Sequence, residues 1–173
     1  MPIFSHPLIE QIPGLRRYAR ALTGGKKENA DDLVQDTLER AYVKWHLFKL
    51  GTDLRPWLFS IMHNVFIDEI RLLKYRVTIN SLDDDLIMRV PASQESHVQV
   101  RQTLTAVGQL PTELREVLVL VSVEEFSYAQ TAKILNIPLG TVMSRLSRAR
   151  TQLRALTDAP AMDNPRSGLR LVE

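Results

Sequence analysis

Apolar residues recur at intervals of three and four along most of this chain, the spacing that places them on one face of an α-helix. One stripe lies in the first third of the chain and another follows Pro56. The first consists of Val34, Leu38, Ala41, Trp45 and Phe48, and the second of Leu58, Ile61, Met62, Val65 and Ile70. This pattern predicts an all-α fold.

Capping and turn residues suggest where the helices of the first half begin and end. A short helix is predicted over Leu15–Leu22, after a Pro-Gly pair and before a Gly-Gly pair. Asp31 or Asp32 is expected to cap the next helix. The segment Leu47–Leu54 predicts a loop, and Pro56 opens the helix that follows it.

The second half begins with two predicted helices, Val98–Gln109 and one that starts at Pro111 and runs toward Glu125. Short helices are stable chiefly through packing. We therefore expect these two helices to cover the inner side of the segment that follows.

That segment, Phe126–Arg154, has the pattern of a helix-turn-helix. Ser127 and Gln130 form a capping-box pattern, which predicts a helix start. Asn136-Ile137-Pro138 ends this helix, and a second one is predicted over Leu139–Arg154. Its inward stripe consists of Val142, Leu146, Ala149 and Leu153.

The other side of the second helix carries hydroxyl, amide and guanidinium groups, which are the groups that contact phosphates and base edges. These residues are Thr141, Ser144, Arg145, Ser147, Arg148 and Gln152. From Phe126 to Thr157 there is no Asp or Glu, while Lys133, Arg145, Arg148, Arg150 and Arg154 are basic. This pattern favours duplex DNA as a partner. A solvated basic helix on a small bundle is the alternative.

Helical periodicity fails between Val77 and His97, where Ser, Asp and Pro residues accumulate. We interpret this stretch as a flexible linker between two small helical domains. The predicted organisation is a first domain over 1–76, a linker over 77–97, a second domain over 98–156 and a mobile tail over 157–173.

Charge is segregated along the chain, because 22 basic and 20 acidic residues leave a formal net charge of only +2. The absence of cysteine excludes disulfides and thiol catalysis and suits a reducing compartment. The N-terminus lacks a signal-peptide pattern, and the longest apolar stretch, Val117–Val123, is too short to span a bilayer. We expect a cytoplasmic protein without membrane insertion.

The first long helix presents an acidic outer face. Between Glu28 and Glu39 the acids are Glu28, Asp31, Asp32, Asp36 and Glu39, and there is no Lys or Arg. Asp31 and Asp32 can stabilise a helix start through the macrodipole, but Glu39 lies too far along for that effect. The face is either a docking surface for a basic protein or a merely solvated charge run. Composition leaves both open.

The helix after Pro56 carries a second set of polar side chains. Asn64, Arg71, Lys74 and Arg76 are candidate nucleic-acid contacts, since Asn can pair with a base edge and basic groups can follow phosphates. The alternative is that Trp57 is a core aromatic and Asn64 an ordinary surface amide.

Nothing in the sequence has the pattern of a catalytic, cofactor or metal site. The four histidines are scattered without ligand spacing, and no Gly-rich phosphate loop is present. Asp83-Asp84-Asp85 has no accompanying ligand cluster. An enzyme is therefore ranked below a stand-alone helix-turn-helix regulator.

Four segments in register resemble the extracytoplasmic-function group of bacterial sigma-70-type sigma factors. They are ADDLVQDTLERAY (Ala30–Tyr42), RPWLFSIMHNVFIDEIR (Arg55–Arg71), LPTELREVLVL (Leu110–Leu120) and FSYAQTAKILNIPLGTVMSRLSRAR (Phe126–Arg150). The LFKLGTD and PWLFSI segments look similar to the general-stress branch of alpha-proteobacterial members.

This resemblance implies a role for each half. The first domain would bind the beta-prime clamp helices of core RNA polymerase and recognise and melt the promoter -10 element, and the second would read the -35 element. The implied polymerase contacts are Asp32, Gln35, Asp36, Glu39 and Arg40. The implied -10 contacts are Leu50, Gly51, Thr52, Asp53, Asn64, Arg71 and Lys74, with the loop Leu47–Leu54 holding an extruded base. The implied -35 contacts are Thr141, Ser144, Arg145, Arg148 and Arg150.

The resemblance also implies partners beyond the clamp helices. They are promoter DNA, the polymerase beta flap and an anti-sigma factor. Met143 and Ser147 depart from a frequent family pattern, which leaves the base preference at these two positions open. No cofactor is implied.

Overall fold

The computed structural model describes residues 5–49, 51–80 and 106–158, with side chains described over 8–49, 51–75 and 106–157. These residues form α1 (Ser5–Leu22), α2 (Lys27–Val43), a 3-10 helix (Trp45–Leu47) and α3 (Leu54–Asn80), followed by α4 (Thr112–Ser122), α5 (Tyr128–Leu135) and α6 (Leu139–Asp158). A helical turn at 106–109 precedes α4. The all-α prediction is confirmed for this part of the chain.

Helix α1 is longer than the predicted Leu15–Leu22, because it starts at Ser5 and continues through Pro13 and Gly14. Proline removes one backbone donor and glycine disfavours helix, so the pair was expected to delimit it. Packing outweighs both effects, since Leu15, Tyr18 and Ala19 are completely buried.

Helix α2 begins at Lys27, with Lys26 as a cap residue that makes no side-chain hydrogen bond. The prediction that Asp31 or Asp32 caps it is therefore wrong. The residues between Gly25 and Asp31 are compatible with helix, so nothing in the sequence delays its start. Ala30, Leu33, Val34, Thr37 and Ala41 are its buried positions.

The apolar stripe predicted for α2, from Val34 to Phe48, continues past the end of the helix. Trp45 and Phe48 follow the end of α2 at Val43 and lie in and after the 3-10 helix, where both are half-buried. The predicted loop is present as residues 48–53, of which residue 50 lies outside the description.

Helix α3 continues to Asn80, so residues 77–80 of the predicted linker are helical. No Gly or Pro occurs between Arg76 and Asn80, and β-branched residues lower helix propensity only slightly. The rest of the predicted linker, most of helix Val98–Gln109 and residues 159–173 of the predicted tail lie outside the described residues.

The second half packs α4 against α5 and α6, as predicted. Helix α4 contributes a continuous buried run from Leu114 to Leu120. Val142, Leu146 and Ala149 of the predicted stripe are buried, and Leu153 packs against the same core. Helix α6 runs to Asp158, past the predicted end at Arg154.

The two halves are packed together, with α1 against α4 and α3 against α5. The Tyr18 ring stacks on Phe59 at 5.4 Å between centroids, and Phe59 meets the edge of Phe126 at 4.9 Å. One cluster of buried residues therefore extends through both halves. The sequence had predicted only a linker between them.

Candidate docking and nucleic-acid surfaces

The outer face of α2 carries the predicted polymerase contacts, and all five are exposed: Asp32, Gln35, Asp36, Glu39 and Arg40. Three of them are tied to neighbours. The Gln35 amide donates a hydrogen bond to Glu39 at 3.0 Å, and Arg40 forms an ion pair with Asp68 of α3 at 3.0 Å. The structure thus brings the predicted set onto one surface beside α3.

A groove of 560 Å³ runs between α2 and α3. Its lining includes both charged and apolar side chains. The lining residues are Asp36, Glu39, Arg40, Val43, Lys44, Val65, Asp68, Glu69 and Leu72. Val43 and Leu72 are 70% and 50% exposed, so the groove offers apolar area as well as negative charge to a partner.

Glu69 extends the acidic surface onto α3, and sequence reasoning had not identified it. Burial raises the pKa of its carboxyl, and the nearby charges of Asp36 and Asp32 raise that pKa further. The contact between α2 and α3 that creates this like-charge cluster is long-range, so no local spacing could have revealed it.

Asp32, Asp36 and Glu69 also line a second cavity of 900 Å³, which reaches across to Arg115 of α4. Burial lowers the pKa of Arg115, and its Nε and Nη1 atoms are buried with no hydrogen-bond partner.

The loop after the 3-10 helix is held by short hydrogen bonds. The Thr52 backbone N–H and hydroxyl both donate to the Lys49 carbonyl, at 3.1 and 2.7 Å. Gly51 has φ +92°, a conformation that side chains with a Cβ rarely adopt. Asp53 accepts a hydrogen bond from the Arg55 N–H at 3.0 Å and thereby caps α3. Gly51, Thr52 and Asp53 are exposed, and Leu50 is outside the described residues.

Three aromatic rings brace this loop against α3. Phe48 lies 5.1 Å and Trp45 6.0 Å from the Trp57 ring, and Trp45 and Phe48 are 5.2 Å apart. All three side chains are half-buried. Trp57 therefore serves a packing role while keeping part of its surface next to the loop.

Helix α3 carries the remaining predicted -10 contacts along one side. Asn64, Arg71 and Lys74 are exposed. Seven residues correspond to nearly two full turns, so Asn64 and Arg71 share a face and lie about 10 Å apart along the helix axis. The loop 48–53 precedes the first turn of α3, and Arg71 and Lys74 lie toward the other end of this helix.

The helix-turn-helix has the local structure that its sequence predicts. Gln130 N–H donates to Ser127 Oγ at 3.1 Å, and Ser127 N–H donates to Gln130 Oε1 at 2.9 Å, which completes the capping box. Asn136 ends α5 with a left-handed φ of 51°. This turn fixes the angle at which α6 leaves and presents its outer face.

The predicted -35 contacts do not all lie together on α6. At about 100° per residue, Thr141, Ser144 and Arg148 fall within one outward sector, whereas Arg150 lies about 160° from Arg148. Thr141 is half-buried and the other three are exposed. Ser147 and Thr151 are exposed on the outward sector as well.

Arg145 is partly withdrawn from solvent. Its Nη2 forms an ion pair with Glu113 of α4 at 3.1 Å, and its side chain is 22% exposed. This pair fastens α6 to α4, so Arg145 has a structural partner in addition to its predicted role at DNA.

Acidic residues of the second half bind basic and polar groups of the first. Glu124 receives hydrogen bonds from Arg17 Nε (2.7 Å), Arg17 Nη2 (3.0 Å) and Arg55 Nη2 (2.7 Å). Glu116 lies 2.8 Å from His63 Nδ1 and accepts from the Tyr18 hydroxyl at 3.2 Å. Burial raises the pKa of Tyr18 well above its usual range, and the charge of Glu116 adds to this effect.

Among the described residues, no group of three or more His, Cys, Asp or Glu is placed to hold a metal ion. Within that same part of the chain, no helix is both long and apolar enough to cross a membrane.

Comparison with known proteins agrees with this division into two halves. Residues 8–63 match the family profile described as the Sigma2 domain of PhyR, and residues 101–153 match Sigma-70, region 4. The chain is 36% identical over 151 residues to the ECF RNA polymerase sigma factor EcfG of Rhodopseudomonas palustris, covering 86% of this chain and 82% of that protein. The chain belongs to the extracytoplasmic-function family of RNA polymerase sigma factors.

Other relatives of this sigma factor support the assignment. The ECF sigma factor SigM of Bacillus subtilis is 36% identical over 132 residues, which cover 75% of this chain and 80% of that protein. The sigma factor RpoE of Bartonella quintana, solved in complex with the anti-sigma factor NepR, has a TM-score of 0.77 and 32% identity, covering 90% of this chain and 97% of that one. CnrH, solved with the cytosolic domain of CnrY, has a TM-score of 0.62 and 28% identity, covering 89% of this chain and 86% of that one.

Proposed function

We propose that this sigma factor binds core RNA polymerase, directs it to promoters and helps to open the DNA, without catalysis of its own. The observation that carries this proposal is the separation of charge onto two surfaces of one chain. An acidic groove lies between α2 and α3, and the other half carries helix α6, which has exposed or partly exposed arginines at 145, 148 and 150 and no Asp or Glu before its last residue, Asp158. We further propose that it acts in the cytoplasm, together with the polymerase.

The groove between α2 and α3 supports polymerase docking in two ways. Its exposed acids, which include Asp36 and Glu39, attract a basic partner and orient its approach. Its exposed apolar side chains Val43 and Leu72 supply area that is buried on contact. The beta-prime clamp helices are the partner we propose for this groove.

The loop 48–53 and α3 are proposed to act on the -10 element. The aromatic brace fixes the loop beside the start of α3, so that an unstacked base could be held there. Holding an extruded base offsets part of the unstacking cost, which is a few kcal/mol. Asn64, Arg71 and Lys74 would then follow the opened strand.

Helix α6 is proposed to read the -35 element from the major groove. Ser144 and Arg148 form the centre of its outward sector, with Thr141 beside them. Arg150 would contact the flanking backbone, because it lies on a different side of the helix. The beta flap is proposed as a further contact of this half, and an anti-sigma factor as its regulator, since the similar sigma factor RpoE of Bartonella quintana has been solved with the anti-sigma factor NepR.

A stand-alone helix-turn-helix regulator is the second candidate, favoured only by the exposed face of α6. Transcription with core polymerase separates the two. The purified protein plus core polymerase should yield transcripts from members of a genomic promoter library, whereas the free protein should bind duplex DNA weakly. Strong duplex binding with no transcript from any library member would favour the stand-alone regulator.

A further inference from the structure

The carboxylate of Glu124 lies between two guanidinium groups at the junction of the two halves. Its side chain is 0% exposed, whereas those of Arg17 and Arg55 are 52% and 31% exposed. Arg17 binds it with two nitrogens, and Arg55 adds a third hydrogen bond. The hydrogen bonding between Arg17 and the Glu124 carboxylate raises the pKa of Arg17.

The surroundings of this carboxylate are shaped to admit it. The turn after α4 gives Glu125 a left-handed φ of 56°, which directs Glu124 inward and leaves Glu125 exposed. On the opposite side, a Cβ atom at Gly14 would lie only 2.9 Å from Glu124 Oε2. Gly14 thus makes room for the carboxylate, at a helix-interior position where glycine lowers helix stability.

Two converging guanidinium groups form a site for any tetrahedral or planar oxyanion, because their N–H groups match phosphate as well as carboxylate. Arg55 also stands over the Phe126 ring at 4.4 Å and near the Phe59 ring at 5.5 Å. Arg55 lies two residues after the loop 48–53, which is the segment proposed to hold an extruded base.

The packed arrangement is too small to contact both promoter elements. The -10 and -35 elements lie about 25 base pairs apart, which is about 85 Å of B-form DNA. A compact body of about 130 residues, the size of the described part of the chain, has a radius of gyration of about 14 Å and so a diameter of about 36 Å. The halves must therefore separate during initiation, and Glu124 then leaves Arg17 and Arg55 with the first half.

We propose that Arg17 and Arg55 form a masked phosphate site for single-stranded promoter DNA, which Glu124 occupies as a built-in substitute while the halves are packed. This inference rests on the proposed function. It adds two DNA contacts beside the base-holding loop and explains why these contacts are absent before the halves separate.

The test is binding of a fluorescent ten-nucleotide dT strand to the full chain without polymerase, measured by anisotropy at several salt concentrations. Glu124→Gln removes the built-in anion and should strengthen binding about tenfold at low salt, since charge-assisted hydrogen bonds are involved. The slope of log affinity against log salt should steepen by about 0.7 for each phosphate gained. Adding Arg55→Gln to this variant should abolish both gains.

Glu125→Gln is the matched control, because it makes the same chemical change one residue away at an exposed position. It should leave binding close to that of the parent. Gly14→Ala is a second route, since it displaces the Glu124 carboxylate without changing the charge, and it should strengthen binding in the same direction. It gives the decisive readout if circular dichroism shows that Glu124→Gln is unfolded.

Unchanged strand affinity and salt slope in the folded Glu124→Gln or Gly14→Ala variants would overturn the masked site. So would equal gains for Glu125→Gln. Failure of the masked site and failure of the proposed function can be told apart. A parent chain that fails to support transcription with core polymerase would reject that function and leave the strand-binding result standing.

Discussion

Acidic residues in this protein act in two ways that depend on burial. Asp36 and Glu39 are exposed on α2, where their charges can attract a partner, whereas Glu116 and Glu124 are buried and paired with groups of the other half. Exposed acids contribute mainly to association and orientation. A buried carboxylate needs partners, because leaving it unpaired is costly.

Asp36→Arg should weaken association with core polymerase by at least about tenfold, because it places a like charge opposite a basic partner. Association is measured by fluorescence titration of labelled protein with core enzyme. Glu125→Arg makes the same charge change on the other half and serves as the control. Equal affinities for Asp36→Arg and the parent would refute the docking surface.

Glu69→Gln should raise stability slightly at neutral pH. The pKa of Glu69 is raised, so its neutral form is favoured in the folded state. The contribution of Glu69 to the free energy of unfolding is most favourable below the pKa that this carboxyl has in the unfolded chain. It is lost as the pH rises through the higher pKa that the carboxyl has in the folded chain. Because solvent screens the partly exposed carboxyl, we expect a gain below about 1 kcal/mol in the free energy of unfolding.

The gain from Glu69→Gln should disappear in urea titrations at about pH 4, where the parent carboxyl is protonated in the folded state. A variant that is less stable than the parent at pH 7 would contradict the interpretation of the like-charge cluster.

At the scale of helices, local signals predicted α5 and α6 well and α1 and α2 less well. The Ser127 capping box and the stripe from Val142 to Leu153 depend on neighbours in sequence, so the residues alone were sufficient. The start of α1 depends on burial against other helices, which overrides Pro13 and Gly14. Asp31 is compatible with a cap but lies within a helix that nothing upstream prevents from starting.

The candidate surfaces were likewise predictable only where they depend on residues that are near one another in sequence. The spacing on α2 correctly predicted that Asp32, Asp36 and Glu39 share an exposed face. The sequence could not show that Arg145 pairs with Glu113, or that Glu69 joins the acidic groove. Those contacts join helices that are distant in the chain.

The two arginines at 148 and 150 should differ in their effects on -35 binding. Arg148→Ala should weaken promoter binding by the polymerase complex and reduce the salt slope by about 0.9, the value for one lost phosphate contact. Arg150→Ala should have a smaller effect, because its side chain leaves α6 about 160° away. Salt titrations of a fluorescent promoter duplex measure both slopes, and equal losses would contradict the assignment of the outward sector.

At the scale of the whole molecule, the halves share a buried junction that the sequence did not predict. Tyr18 stacks on Phe59 and binds Glu116, so its hydroxyl belongs to that junction. The linker pattern predicted two domains, but which side chains meet between them depends on shape complementarity that no local pattern encodes.

Stability should fall at alkaline pH through Tyr18. Its pKa is raised, so the folded state retains a proton that the unfolded chain releases above about pH 10. The stabilising effect is complete below that pH and declines above it, by at most about 1.4 kcal/mol per pH unit. Urea titrations between pH 8 and 11 measure this decline.

Tyr18→Phe keeps the stacking on Phe59 and should show a shallower alkaline decline than the parent. Tyr128→Phe, at an exposed site, should match the parent. A Tyr18→Phe curve parallel to the parent curve would exclude Tyr18 as the source of the pH dependence.

The central claim is that one chain joins the polymerase to its template through two oppositely charged surfaces. Mixing the purified protein with core polymerase and a promoter fragment, followed by size-exclusion chromatography, tests it most directly. We predict a ternary complex in which Asp36→Arg loses the polymerase and Arg148→Ala retains the polymerase but binds the fragment less well. A polymerase that elutes without the protein in every mixture would contradict the account.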